Sequence, residues 1–178
     1  MDFLELSNIR QSCRSFSSKP VPKEVVEKCL EAARLAPSAC NSQPWKFIVV
    51  SSQEMHDKVA DAAFSGKYSM NAFAKKAPVI VIVARDKDKI VPVVGGMVMR
   101  TNFSLVDIGI AAEHLVLAAA EQGIGTCYLG IFDEKKIKKT LKLPNKLKID
   151  LVIPMGYPET DTVRIKSRKP LNEIASFI

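Results

Sequence analysis

Two short polar clusters near the start of the chain carry residue types that can bind a phosphorylated cofactor. They are RQSCRSF, from Arg10 to Phe16, and APSACNSQPW, from Ala36 to Trp45. Arginine and serine side chains donate hydrogen bonds to phosphate, and the later residues Lys166 and Arg168 add positive charge. The second cluster sets small and amide-bearing residues between two prolines, which favours a rigid loop of donors and acceptors. Together the clusters predict a pocket for a phosphorylated, ring-bearing cofactor, and therefore an enzyme.

The spacing of the first cluster also allows a purely structural interpretation. In that alternative Ser12 caps a helix, and Arg10 and Arg14 are ordinary surface residues. The residues alone leave both interpretations open.

Motifs for several other chemistries are missing from the sequence. No G-x-G-x-x-G dinucleotide fingerprint, G-x-x-x-x-G-K phosphate loop or G-x-S-x-G nucleophile elbow occurs. The histidines, His56 and His114, lack the spacing of metal ligands, so we expect no metal site. Cys40 lies among loop-forming residues, where an unreactive cysteine is commoner than a nucleophile. The reactive group is therefore expected to belong to a cofactor, with no catalytic side chain.

The composition predicts one globular domain spanning residues 1–178. Hydrophobic residues make up 47% of the chain and charged residues 25%. The cysteines are scattered, and the N-terminus lacks a basic-then-apolar signal, which predicts a cytoplasmic protein with reduced thiols. The most apolar run, Ile108–Ala120, contains Glu113 and His114 and is too short for a membrane span, so we expect no membrane partner.

The net charge of +7 raises the question of a polyanionic partner. Much of the excess lies between Lys135 and Lys148, where lysines alternate with apolar residues as on the outer face of a short helix. We interpret this segment as a solvated surface. Because no zinc-finger spacing or aromatic–basic RNA-binding signature occurs, nucleic acid is a minor alternative, and we expect no nucleic-acid partner.

Apolar periodicity predicts an α+β fold, because helices and strands mix without a strict βαβ rhythm. Helices are expected from Pro22 to Pro37 and over residues 53–64, 102–122 and 133–143, and strands over 45–50, 77–84, 125–129 and 147–155. Residues 85–101 are interpreted as a mobile connection with room for a short helix. The helix over 102–122 is apolar on nearly every side, so we expect it to be buried all round, either inside a monomer or against a second subunit.

The two clusters, together with three later motifs, resemble the FMN-dependent nitroreductase family. The later motifs are VDIGIAAEHLVLAAAEQGIGTCYLG, MGYP and KSRKPL, in this order, and the resemblance covers nearly the whole chain. It implies a mixed α+β sandwich with a central, mainly antiparallel sheet flanked by helices, and two subunits intertwined as a homodimer. FMN would lie at the dimer interface, with each site taking residues from both subunits.

The resemblance also implies a role for each site residue. Arg10, Ser12, Lys166 and Arg168 would bind the FMN phosphate, Gln11 the ribityl–phosphate region, and Arg14 and Asn71 the pyrimidine edge of the ring. Pro37, Ser38, Ala39, Asn41 and Gln43 would come from the other subunit and border the ring and ribityl chain. Backbone groups of Tyr128, Leu129 and Gly130 would face flavin N5 and O4. For Asn71, the residues alone equally allow a position in a turn.

By the same resemblance, NADH or NADPH would pass hydride to flavin N5, and a flat acceptor such as a nitroaromatic or a quinone would then take its place. That is a two-step ping-pong reaction. Members of the family perform other flavin chemistry, including reductive dehalogenation, and a flavin-binding module without turnover would use the same motifs. The sequence leaves the physiological acceptor and the preferred nicotinamide open.

Overall fold

The computed structural model describes residues 1–86 and 102–178, in which an antiparallel sheet is covered by helices on both faces. Its four strands are β1 (Trp45–Val50), β2 (Val79–Asp86), β3 (Gly125–Thr126) and β4 (Leu147–Gly156), in the spatial order β1-β2-β4-β3. The helices of the described residues are α1 (Phe3–Ile9), α2 (Lys23–Arg34), α3 (Gln53–Phe64), α4 (Phe103–Glu121), α5 (Glu134–Thr140) and α6 (Leu171–Ile174), with 3-10 segments at Ala39–Asn41 and Gly66–Lys76. The predicted α+β class and its antiparallel sheet are confirmed.

Strand β2 shows how the sequence builds a core on each face of the sheet. Its run VIVIVA is buried throughout, unlike the alternating pattern of a sheet with one solvated face. Ile80 and Ile82 pack in the layer that contains α3 and α5, whereas Val81 and Val83 pack in the layer that contains α2 and α4. Because burying each such side chain contributes roughly 1.5–3 kcal/mol, this strand stabilises both layers.

Strand β3 is shorter than the predicted strand over residues 125–129, and a proline on the neighbouring strand explains why. Leu129 and Val152 exchange both backbone hydrogen bonds, in the same register as the pairing of Gly125–Thr126 with β4. The alternation of an antiparallel ladder makes Cys127 and Pro154 the next pair that would exchange bonds. Proline has no N–H to donate, so the ladder is interrupted there.

Helix α4 packs against the sheet on one side only, so the expected burial all round is wrong for the single chain. Ile108 and Leu115 are buried, whereas Leu105 and Val106 are 46% and 49% exposed. By length and composition α4 meets the criteria for a membrane span, contrary to the sequence prediction. Core helices of globular proteins meet the same criteria, and 44% of its most apolar window is buried inside this fold.

Four described elements lie outside the predicted set, among them the 3-10 segment Ala39–Asn41. Helix α1 has a capping box, in which the Glu5 N–H donates to Asp2 Oδ1 at 2.8 Å and the Asp2 N–H donates to Glu5 Oε2 at 2.9 Å. The 3-10 segment Gly66–Lys76 and the short α6 show no comparable signal. The connection predicted over 85–101 lies outside the described residues from residue 87 onward, and its first two residues belong to β2.

Candidate functional site

The first polar cluster lies along the outer edge of β3, where the sheet fixes its backbone. Ser12 forms a parallel bridge with Thr126, and the Cys13 N–H donates to the Thr126 carbonyl oxygen at 2.8 Å. The alternative that Ser12 caps a helix is therefore wrong, because its backbone is held in an extended pairing. Gly125 allows the close approach, since an added Cβ there would lie 2.7 Å from both Cβ and Sγ of Cys13.

The guanidinium of Arg10 is largely buried without satisfying its hydrogen bonds. It lies over the Tyr128 ring, 4.9 Å from the ring centroid. Tyr128 Oη donates to Glu113 Oε2 at 2.8 Å, and the same oxygen lies 4.0 Å from Arg10 Nη2, too far for a hydrogen bond. Arg10 Nε and Nη2 thus have no acceptor among the described residues. Buried donors normally have partners, so this arrangement indicates a place for an anionic group.

The C-terminal segment brings further cations onto the backbone of the same cluster. Gln11 Nε2 donates to the Thr162 carbonyl at 2.8 Å, and Arg164 donates its N–H and Nε to Gln11 Oε1, each at 3.1 Å. Arg164 Nη2 also donates to the Ser12 carbonyl at 2.6 Å. Lys166 Nζ donates to the carbonyl oxygen of Arg10. These contacts place Lys166 next to Arg10, as the predicted phosphate site requires.

The charges in this cluster are unbalanced. The pKa of Lys166 is lowered by its partial burial and by the positive charges of Arg168, Arg10 and Arg164, and only Glu113 opposes the shift. Arg168 itself is exposed and donates to the carbonyl of its neighbour Ser167 at 2.7 Å. A phosphate placed among these groups would offset the excess positive charge and satisfy the free donors of Arg10.

A cavity of about 510 Å³ opens beside the cluster, between residues 9–15, the C-terminal end of α4 and residues 158–164. Four predicted site residues line it, namely Arg10, Gln11, Ser12 and Arg14. Arg14 is exposed and forms no hydrogen bond or ion pair with the described part of the chain, so its charge is available to a ligand. The volume lies in the range typical of small-molecule sites.

The second polar cluster forms the loop between α2 and β1, and α4 holds it in place. Buried Asp107 accepts hydrogen bonds from the Ala39 N–H at 3.1 Å and from Ser42 Oγ at 3.3 Å. Asn41 and Gln43 have φ values of +53° and +44°. Residues other than glycine rarely adopt this backbone region, at a cost of about 1–3 kcal/mol each, and such strain concentrates at ligand sites.

Residues 128–130 lie shortly after β3, and Leu129 is the one among them whose backbone is hydrogen-bonded to β4. The Leu129 N–H donates to the Val152 carbonyl at 3.0 Å, so it is already paired within the sheet. The predicted flavin contacts of Tyr128, Leu129 and Gly130 all stay predictions. Asn71 Nδ2 donates to the Ile131 carbonyl at 2.9 Å, so this side chain braces the segment next to Gly130.

The structure therefore joins most of the predicted residues into one group but leaves the second cluster apart. Within residues 1–86 and 102–178, no hydrogen bond or ion pair links that group to the loop that carries Pro37, Ser38, Ala39, Asn41 and Gln43. Sequence reasoning missed Arg164, Glu113 and Asp107. The sequence does mark two of them. Asp107 and Glu113 are acidic residues inside the mostly apolar sequence of α4, and such residues are candidates for a specific role.

Comparisons with known proteins identify the family of this chain. The model of the nitroreductase family matches residues 9–157. A protein of Methanothermobacter thermautotrophicus, provisionally named NADH dehydrogenase/NAD(P)H nitroreductase, is 33% identical over 89% of this chain and 78% of its own length. An iodotyrosine deiodinase of Thermotoga neapolitana is 23% identical over 96% of this chain and 94% of its own length.

Among solved structures, a protein from Desulfovibrio desulfuricans assigned to the nitroreductases was determined in complex with FMN. It is 27% identical, has a TM-score of 0.78, and the match covers 97% of this chain and 94% of that one. The family match spans well over half of the chain, and it confirms both the resemblance and the prediction of an enzyme. The chain belongs to the nitroreductase family.

Proposed function

We propose that this protein is an FMN-dependent oxidoreductase that passes electrons from NADH or NADPH to flat acceptors such as nitroaromatics or quinones. The observation that carries the proposal is the lack of a hydrogen-bond acceptor for the buried Nε and Nη2 of Arg10, in a cluster of cations that also holds Arg164, Lys166 and Arg168. Such an excess of positive charge suits a phosphate monoester, and the bound FMN of the Desulfovibrio desulfuricans relative supports that identity. We further infer that residues 1–178 form one FMN-binding domain.

In this proposal the first cluster and the C-terminal segment hold the phosphate end of FMN. Arg10, Ser12, Lys166 and Arg168 bind the phosphate, and Gln11, held by Arg164, borders the ribityl chain. Arg14 lies at the pyrimidine edge, where a fixed positive charge stabilises negative charge on the ring. Tyr128 and Gly130 contribute backbone groups near N5 and O4, and Asn71 keeps that segment in position.

The proposal requires two subunits, because the loop over residues 37–43 completes the site of the partner rather than its own. Several exposed apolar side chains support a dimer. Leu105 and Val106 lie on the outer face of α4, and Phe3 and Ile165 are 67% and 100% exposed. In this proposal a second copy of the chain covers these exposed apolar side chains.

When bound, FMN would supply hydride acceptance and donation at N5, and the protein would supply position and charge. No nucleophilic side chain is needed. In a ping-pong reaction the donor and the acceptor would occupy the same space in turn. The described cysteines Cys13, Cys29, Cys40 and Cys127 are free, which fits a reducing, cytoplasmic setting.

A second function, reductive dehalogenation, is favoured by the similarity to the iodotyrosine deiodinase.

An absorbance spectrum of the purified protein, followed by anaerobic addition of NADH and NADPH in separate cuvettes, tests the proposal. We expect a flavin spectrum that bleaches with at least one nicotinamide and recovers on addition of a nitroaromatic or a quinone. A protein that takes up no FMN would refute the proposal. Bleaching without recovery would favour dehalogenation or another acceptor, and bound flavin that neither nicotinamide reduces would indicate a binding module. Light scattering of the FMN-loaded protein should give the mass of a dimer.

A further inference from the structure

The lysines that follow Gly130 line a concave surface that the cofactor site does not use. A cavity of about 890 Å³ lies between α5, the turn after it and the start of β4. All three elements contribute lysines to its lining, namely Lys135, Lys138, Lys139, Lys142 and Lys148. Lys135, Lys139 and Lys142 are exposed, as the predicted solvated surface requires, but they also border this one open depression.

The carboxylate among the lining residues, Glu134, is already paired with two of the lysines. Glu134 pairs with Lys138 Nζ at 3.0 Å and with Lys148 Nζ. Burial raises the pKa of Glu134, but the hydrogen bonds from both lysines outweigh burial and lower the pKa to about 2. In the described part of the chain, Lys139 and Lys142 have no ion-pair partner. The cavity therefore keeps an excess of positive charge after its internal pairing.

Lys142 occupies a backbone position that normally belongs to glycine. Helix α5 ends in a Schellman motif, in which the Lys142 N–H donates to the Lys139 carbonyl at 3.3 Å and the Leu143 N–H donates to the Lys138 carbonyl at 2.9 Å. The φ of Lys142 is +52°, in the left-handed region that strains any residue with a Cβ. Glycine would close this helix without strain, so the lysine places a cation at the cavity at the expense of stability.

We propose that this lysine cavity is a binding site for a multiply charged phosphate anion such as a diphosphate group. Ammonium groups bind phosphate as point charges, and lysines from three elements can surround a compact anion from several sides. The described residues that line the cavity include no aromatic side chain, so the surface lacks the stacking platform typical of single-stranded nucleic acid. This site is separate from the proposed FMN site and does not depend on it.

Calorimetric titration of FMN-saturated protein with inorganic pyrophosphate at low salt tests the proposal. We expect saturable binding that weakens as salt is added. The variant Lys139→Gln/Lys142→Gln should bind pyrophosphate at least about tenfold more weakly, because each charge-assisted contact contributes on the order of a factor of ten. The control Lys23→Gln/Lys28→Gln removes the same charge from α2 and should bind normally. The variant Lys142→Gly should bind more weakly but melt at a higher temperature.

The variants also identify the source of the phosphate. A raised KM for NADPH or NADH in Lys139→Gln/Lys142→Gln, with unchanged kcat, supports the proposal with the donor as ligand. Loss of pyrophosphate binding without a change in either KM supports it with a separate phosphate compound. Undetectable pyrophosphate binding, equal affinity in both double variants, or a loss caused by Lys166→Gln instead would overturn it. Binding of an oligonucleotide through these lysines, tighter than pyrophosphate, would overturn it in favour of nucleic acid.

Discussion

Replacing Tyr128 with phenylalanine tests whether the hydrogen bond to Glu113 keeps Arg10 available for a phosphate. Burial and that hydrogen bond raise the pKa of Tyr128 far above its ordinary range, so the hydroxyl remains a donor at every working pH. Phenylalanine keeps the ring beneath Arg10 but removes the donor. Glu113 is then free to turn toward Arg10 Nη2, now 4.0 Å away, and to compete with the phosphate.

The expected effect follows from the exposure of Glu113. A hydrogen bond to a charged group contributes roughly 1.5–3 kcal/mol. Because the Glu113 side chain is 46% exposed, solvent screening favours the lower end of that range. About 1.5 kcal/mol corresponds to FMN binding roughly tenfold more weakly in Tyr128→Phe. The variant Glu113→Gln removes the competing charge and should bind FMN at least as tightly as the unmodified protein.

Quenching of FMN fluorescence on titration with cofactor-free protein measures both variants. Tyr157→Phe is the matched control, because Lys19 lies 4.0 Å from that ring and the described residues give the Tyr157 hydroxyl no hydrogen bond. This control should leave the affinity unchanged. Equal losses in Tyr128→Phe and Glu113→Gln would refute the reasoning, because they would show that the pair only supports the fold.

Three further predictions follow from the electrostatics and the loop. FMN binding in the alkaline range should take up protons, because burial and the neighbouring cations lower the pKa of Lys166 and a phosphate raises it again. Calorimetry in two buffers of different ionisation enthalpy would contradict this if the heats agree. Glu134 has a folded pKa of about 2 against an ordinary 4.5, so its stabilisation is full above pH 4.5 and is lost as the pH falls through about 2. Glu134→Gln should therefore flatten the acid limb of the melting temperature against pH, and an unchanged limb would exclude this role. Asp107→Asn should loosen the loop over 38–43 by roughly 1.5–3 kcal/mol, seen as faster hydrogen exchange at Ala39, and unaltered exchange would show that other contacts hold the loop.

Most of the helices and strands could be predicted from sequence because their signals are local. The periodicity of α2 and the uninterrupted apolar run of β2 need no knowledge of the rest of the chain. The length of β3 is different, because Pro154 on another strand limits it. The exposure of α4 is also a tertiary property, since an apolar composition does not say which face meets the sheet.

The residues of the candidate site also fall into those that local sequence predicts and those that depend on tertiary structure. Arg10, in the first polar cluster, and Lys166, in the C-terminal KSRKPL segment, could be predicted by residue type, since arginine or lysine beside serine suggests a phosphate site. Arg164 could not be predicted as the residue that holds Gln11, because 153 positions separate the two residues in the chain. The hydrogen bond from the Leu129 N–H to the Val152 carbonyl could not be predicted either, because it depends on the register of this segment with β4.

That register decides whether the site can form at all. The pairing of residues 125–129 with β4 directs Cys127 and Leu129 into one core layer and Tyr128 into the layer that contains α4. A shift of one residue would exchange the two faces and turn Tyr128 away from Glu113 and Arg10. Burial of Cys127 and Leu129 opposes such a shift, because both side chains would leave their layer. Two apolar residues with no part in binding a phosphate therefore set the position of the aromatic ring that lies under Arg10.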